Sequence, residues 1–146
     1  MTDRELFARI IQCEAGGEGD IGMKAVATVV MNRVNATQGE YARVSQGGNI
    51  RNIILQPYQF TCAEEVVYGE YNPQNIYNVN PTQQDYDTVD WAISGNRIGD
   101  LGISLWYMNP FNPQCPTYFP YNMTGIIQNR INKHCFYNPT TLYYDT

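Results

Sequence analysis

A glutamate at the end of an apolar helical stripe is the first place where this sequence suggests chemistry. Phe7, Ile10, Ile11 and Glu14 fall at i, i+3, i+4 and i+7, the spacing of one helix face. A carboxylate on such a face is costly unless it is used or paired. Glu14 also lies in the last turn before Gly16-Gly17, at the negative end of the helix dipole. Burial and dipole both disfavour the anion, so an upward-shifted carboxyl is expected. A carboxyl that stays protonated near neutral pH is what a general acid needs. The alternative is a glutamate paired with Arg9 or Arg33 at the edge of the core.

Three other groupings are weighed beside it. Glu18, facing Glu14, would complete the two carboxylates of a glycosidase; otherwise Glu18 and Asp20 favour the start of the next helix electrostatically. The Gly16-Gly17 break leaves the direction of Glu18 open and argues against a shared face. Cys13 with His134, the only histidine, would make a thiol–imidazole nucleophile, although no third orienting residue is evident and a small buried cysteine is the simpler identity. Trp106-Tyr107, with Tyr58, Phe60, Phe136 and Tyr137, offers rings for sugar faces, but aromatics at strand spacing commonly belong to a core.

The elements that must position these residues follow from periodicity and punctuation. Asp3 to Ala15 reads as a helix capped by Thr2 or Asp3 and ended by Gly16-Gly17 in a left-handed cap. Asp20 caps a second helix, Ile21 to Val34, with Met23, Val26, Ala27, Val30 and Val34 as its apolar stripe. Residues 35–48 read as loop, 49–56 as a short helix before Pro57, and 57–61 as a turn leading to a short element through Tyr68. After a polar loop, Asn80-Pro81 signals a third long helix, with Asn as cap and Pro at the first position, closing at Gly95. Ile103–Met108, Ile126–Ile131 and Lys133–Tyr137 read as strands around a Pro-rich loop. Helices first and strands late make the class α+β.

Composition narrows the functions. A chain of 146 residues predicts one domain, long enough for a core without staples. The net charge is −5 with nine Lys and Arg that never cluster, unlike the basic patch of a nucleic-acid binder. No apolar run approaches a membrane span, and the charged start, Met1 to Glu5, does not read as a secretory signal. Only 16% of residues are charged, whereas there are 12 Tyr and 15 Asn; neutral hydrogen-bonding groups suit an uncharged polar ligand such as a glycan. Cys13, Cys62, Cys115 and Cys135 lack any paired metal-binding spacing. No metal or cofactor is expected, and the cysteines read as buried thiols or as one bridge, Cys115 to Cys135, under oxidising conditions.

The run Ile11-Gln12-Cys13-Glu14-Ala15-Gly16-Gly17-Glu18, then Gly22 and Ala25 through Val34, resembles the opening motif of the SleB/CwlJ cell-wall hydrolase family, the spore-cortex-lytic enzymes. Gln59-Phe60-Thr61, Trp106-Tyr107-Met108-Asn109-Pro110 and His134-Cys135-Phe136-Tyr137 continue the resemblance in order, over about residues 5–139. Gly16 stands where the family often has Arg, and Met108 where an aromatic is common. The lack of a glycan-binding repeat domain makes the chain more similar to the CwlJ branch.

The resemblance implies a single lysozyme-like catalytic domain over residues 1–146 that cuts peptidoglycan glycan strands. It implies Glu14 as the acid and base of a lytic transglycosylation that gives 1,6-anhydro-muramic ends. Thr61 is the candidate to hold the sugar 6-hydroxyl or a water. Gln59, Tyr107 and Asn109 are candidates for sugar hydroxyls or acetamido groups, and Phe60 and Tyr137 for ring stacking. It also implies synthesis in the mother cell, deposition in the spore coat and cortex region, and an accessory coat protein as a partner to consider. The alternatives are a two-carboxylate muramidase or glucosaminidase, a Cys/His amidase acting on the stem peptides, and a non-catalytic coat protein that binds glycan.

Overall fold

A computed structural model describes residues 1–146. Its first half is helical: α1 (Asp3–Ala15), α2 (Gly19–Val34), α3 (Gly39–Ser45) and α4 (Ile50–Leu55). A two-strand hairpin, β1 (Val66–Val67) and β2 (Glu70–Tyr71), leads to α5 (Gln83–Ile93). A three-stranded antiparallel sheet follows, made of β3 (Trp106–Met108), β4 (Gly125–Ile131) and β5 (His134–Pro139) in the order β3-β5-β4, before the short α6 (Thr141–Tyr144). The class is α+β, as the late switch in periodicity predicts.

The helix α2 is the centre of the molecule. The stripe Met23, Val26, Ala27, Val30 and Val34 is buried in the main core with Phe7, Ile10 and Ile11 of α1. Its opposite face is buried too, with Ala25 and Val29 against Leu101 and Phe136 of β5. With apolar residues buried on two faces, α2 lies between the helical layer and the sheet.

Several boundaries differ from the sequence reading. Thr2 caps α1 by accepting from the Glu5 N–H. Gly16 keeps a right-handed conformation, φ −60°, and its N–H bonds to the Gln12 carbonyl, so no left-handed cap forms there. Glu18, not Asp20, occupies the cap position of α2, and its side chain makes no capping bond. Thr82 replaces Asn80 as the cap of α5, because Thr82 and Asp85 bond reciprocally to each other's backbone N–H. That pair satisfies two orphan donors, where Asn80 would satisfy one. The presumed loop over 35–48 contains α3. Two disulfides are present, Cys115–Cys135 as anticipated and Cys13–Cys62 in addition.

Candidate active site

Side chains opposite one another in an antiparallel sheet share a face. Tyr107 pairs with Phe136 across β3 and β5, and His134 lies two residues from Phe136, on the same face. The three rings pack together, with centroids 5.8 Å apart for Tyr107–Phe136 and 5.4 Å for Tyr107–His134. This aromatic face is turned toward the end of α1. There Tyr107 Oη donates to Glu14 Oε1 at 3.1 Å. Burial and the Glu14 charge hold the Tyr107 phenol well above its usual range, so it is a neutral donor.

Glu14 carries the upward shift that its place in the helix predicts. Burial is the largest cause; the Tyr107 bond and the Arg33 charge oppose it, and the Glu18 charge adds to it. Neither proposed ion pair forms. Arg9 bonds to Glu5 and to the carbonyls of Ile76 and Tyr77. Arg33, buried on α2, donates to the Leu105 carbonyl at 2.7 Å and to Gln59 Oε1 at 3.4 Å. Its guanidinium stacks over Tyr41 and Phe60. Glu14 is therefore a half-buried carboxyl with a phenol donor and no salt bridge.

Glu18 points toward this region, against the expectation drawn from the glycine break. His134 Nδ1 lies 3.0 Å from Glu18 Oε1, and Glu18 Oε2 is buried without a partner. The approach depends on Gly22. A Cβ there would come within 2.6 Å of the Glu18 Cβ and 3.2 Å of Asn132 Nδ2. Glycine lets the β4–β5 turn close over the start of α2, where Asn132 donates to the Glu18 carbonyl at 3.1 Å. The Cys13–His134 nucleophile is overturned: the Cys13 sulfur is bonded to Cys62 and the imidazole is engaged by Glu18.

A cleft of about 250 Å³ opens beside Tyr107, lined also by Arg33, Tyr58, Gln59, Trp106, Asn122 and Thr124. Gln59 Oε1 accepts from Tyr41 Oη at 2.9 Å and from Arg33, which fixes its amide at the cleft wall. The Cys13–Cys62 bridge ties the short 3-10 turn Thr61–Ala63 to α1, one residue from Glu14. Thr61 is exposed and opens into a neighbouring cavity with Tyr58.

The other predicted contacts are not assembled here. Phe60 and Tyr137 are 1% and 0% exposed. Phe60 lies under Arg33, and Tyr137 Oη donates to the Pro116 carbonyl at 2.8 Å, so neither ring can stack on a sugar. Their alternation in short apolar runs marks core as readily as a binding face. Asn109 accepts from the Phe111 N–H through its side-chain Oδ1 and lines a separate depression with Arg130 and Lys133. Arg33 as the organiser of Gln59 and the Glu18–His134 pair are the features sequence reasoning missed. The only available signals were the burial implied for Arg33 by the α2 pattern and the lone histidine.

The cell wall hydrolase family model matches residues 17–137. The cell wall hydrolase CwlJ of Bacillus subtilis (strain 168) is 32% identical over 139 residues, covering 95% of this chain and 87% of that protein. CwlJ of Oceanobacillus iheyensis is 32% identical over 136 residues, covering 93% and 86%. The fold is similar to the catalytic domain of the germination-specific lytic transglycosylase SleB from Bacillus anthracis, with a TM-score of 0.67, 26% identity and 93% of each chain covered. Lysozyme-like architecture, helices before a small sheet, is thus shared. On the family match and the CwlJ identities, this chain belongs to the cell wall hydrolase family.

Proposed function

We propose that this chain cuts the glycan strands of spore-cortex peptidoglycan as a lytic transglycosylase, with Glu14 as its single acid and base. Membership of the cell wall hydrolase family makes peptidoglycan the substrate class. The choice of cortex rests on similarity to the germination-specific SleB domain, and the site of action would be the spore coat and cortex region.

The observation that carries the mechanism is the state of Glu14: half-buried, shifted upward and outside any salt bridge. Protonated Glu14 donates to the glycosidic oxygen between a muramic unit and the next glucosamine. The bond from the anomeric carbon to that oxygen breaks and the sugar becomes oxocarbenium-like. Ionised Glu14 then removes the proton of the muramic 6-hydroxyl. The 6-oxygen bonds to the anomeric carbon, and a 1,6-anhydro ring closes without consuming water. Tyr107 stabilises the transient Glu14 carboxylate by a charge-assisted hydrogen bond. Gln59 at the cleft wall and the free Thr61 hydroxyl serve as sugar contacts.

Hydrolysis by two carboxylates is the second reading, favoured by the unpartnered Glu18 Oε2 and by the effect of the Glu18 charge on Glu14. Digestion of cortex in heavy-oxygen water separates the two. Transglycosylation predicts unlabelled anhydro ends, two hydrogens and one oxygen lighter than hydrolytic ends. New reducing ends carrying the heavy oxygen would replace it with a two-carboxylate muramidase or glucosaminidase. Freed stem peptides with intact glycan would mean an amidase.

A further inference from the structure

Tyr58 and Tyr68 are among the solvent-facing rings that nothing in the proposed chemistry uses. Tyr58 is 93% exposed and Tyr68 fully exposed. Both have left-handed backbones, φ 66° and 52°, a conformation uncommon for a bulky residue. Tyr58 is held in place by its N–H, which donates to Glu64 Oε1 at 2.9 Å. Tyr68 sits at the turn of the β1–β2 hairpin, where Val67 pairs with Glu70.

These rings face one cavity. A space of about 320 Å³ is lined by Tyr58, Thr61, Glu64, Val66, Val67 and Tyr68. Tyr58 also lines the cleft that contains Tyr107 and Gln59, so the two spaces adjoin at that ring. Thr61, which lines the outer cavity, adjoins the Cys62 that is bonded to α1 beside Glu14. The outer cavity therefore lies next to the cleft whose Tyr107 donates to Glu14. It offers ring faces, exposed valine, a free hydroxyl and one carboxylate, and no cation. Such a lining fits the apolar face and the hydroxyl or acetamido edge of a neutral hexosamine.

We propose that the cavity between Tyr58 and Tyr68 is an outer glycan subsite, which takes an N-acetylated hexosamine of the same strand that lies across Glu14. It rests on the glycan-cleaving reading above. Tyr68 supplies the stacking face, Tyr58 separates the subsite from the cleft, and Glu64 both sets Tyr58 and offers its second oxygen to a sugar hydroxyl. Exposed rings thus take the stacking role expected of the buried Phe60 and Tyr137. The consequence is length selectivity: long strands gain a contact that short fragments cannot reach.

The test is binding of peptide-free glycan strands and of a tetrasaccharide, both prepared from peptidoglycan, to the full chain carrying Glu14→Gln so that nothing is turned over. Adding Tyr68→Ala is expected to weaken long-strand binding about three- to tenfold and to leave tetrasaccharide affinity unchanged. Tyr68→Trp, which keeps a ring, should retain long-strand affinity. Tyr68 is fully exposed, so folding is not at stake, and equal melting temperatures would verify it. Unchanged long-strand binding by Tyr68→Ala, or equal losses for both ligands, would overturn the subsite and leave the reaction at Glu14 standing. A Glu14→Gln parent that binds no strand of any length would instead remove the glycan reading, and the subsite with it.

Discussion

Replacing Tyr107 by Phe tests whether this residue tunes the acid or merely touches sugar. The substitution keeps the ring packed between His134 and Phe136 and deletes one donor, the phenol 3.1 Å from Glu14 Oε1. A hydrogen bond to a charged group is worth roughly 1.5–3 kcal/mol. This bond lowers the Glu14 pKa against the larger effect of burial, so losing it favours the protonated carboxyl. The proton equilibrium should shift by about tenfold or more. A general acid works while protonated, so activity falls as pH rises through the Glu14 pKa. In Tyr107→Phe that alkaline limb should move to higher pH, and the acidic plateau of kcat should drop because the carboxylate formed in the transition state has lost its donor. The assay is release of soluble glycan from peptidoglycan across pH, with kcat and KM separated. A raised KM with an unmoved limb would make Tyr107 a sugar contact and refute the tuning argument.

Glu18→Gln should keep most activity, since its amide oxygen still accepts from His134; equal loss in Glu18→Gln and Glu14→Gln, with stability unchanged, would make Glu18 a second catalytic carboxylate. Glu14→Gln should be more stable than wild type at pH 8 and not at pH 4. The folded pKa of Glu14 is raised, so its contribution is fully present below the ordinary carboxyl range and is lost as pH rises through the folded value; melting curves at the two pH values check the sign. Cys13→Ser with Cys62→Ser opens a loop of sequence separation 49, costing about 4 kcal/mol and roughly 10 °C in Tm. Turnover per folded molecule should persist, and complete inactivation of a folded double variant would show that the bridge is needed to hold Thr61 at the site.

The upward shift of Glu14 was legible because the apolar stripe of α1 carries its carboxyl toward the core. The central burial of α2 was only half legible. One stripe stands out by period, but Ala25 and Val29 are small and make the second face look neutral until Leu101 and Phe136 cover it. The α5 start went to Thr82 because reciprocal bonding with Asp85 outweighs the Asn80-Pro81 signal. Tertiary pairings left no local trace. Glu18 meets His134 across 116 positions only because Gly22 admits the β4–β5 turn. Cys13 meets Cys62 only once α1 and the Thr61 turn are packed together. Phe60 and Tyr137 failed as sugar contacts for a related reason: an aromatic next to a motif residue reads the same whether it faces a ligand or Arg33 and the core.

The central claim is that Glu14 alone moves the protons of glycan cleavage, and turnover by Glu14→Gln tests it most directly. The amide preserves the shape of the side chain and can still accept from Tyr107, but it cannot give or take the catalytic proton. With peptidoglycan as substrate and folding verified by circular dichroism, turnover should fall by at least ~10²–10⁴-fold while strand binding is retained. Cleavage by the folded variant at close to the wild-type rate would contradict the account.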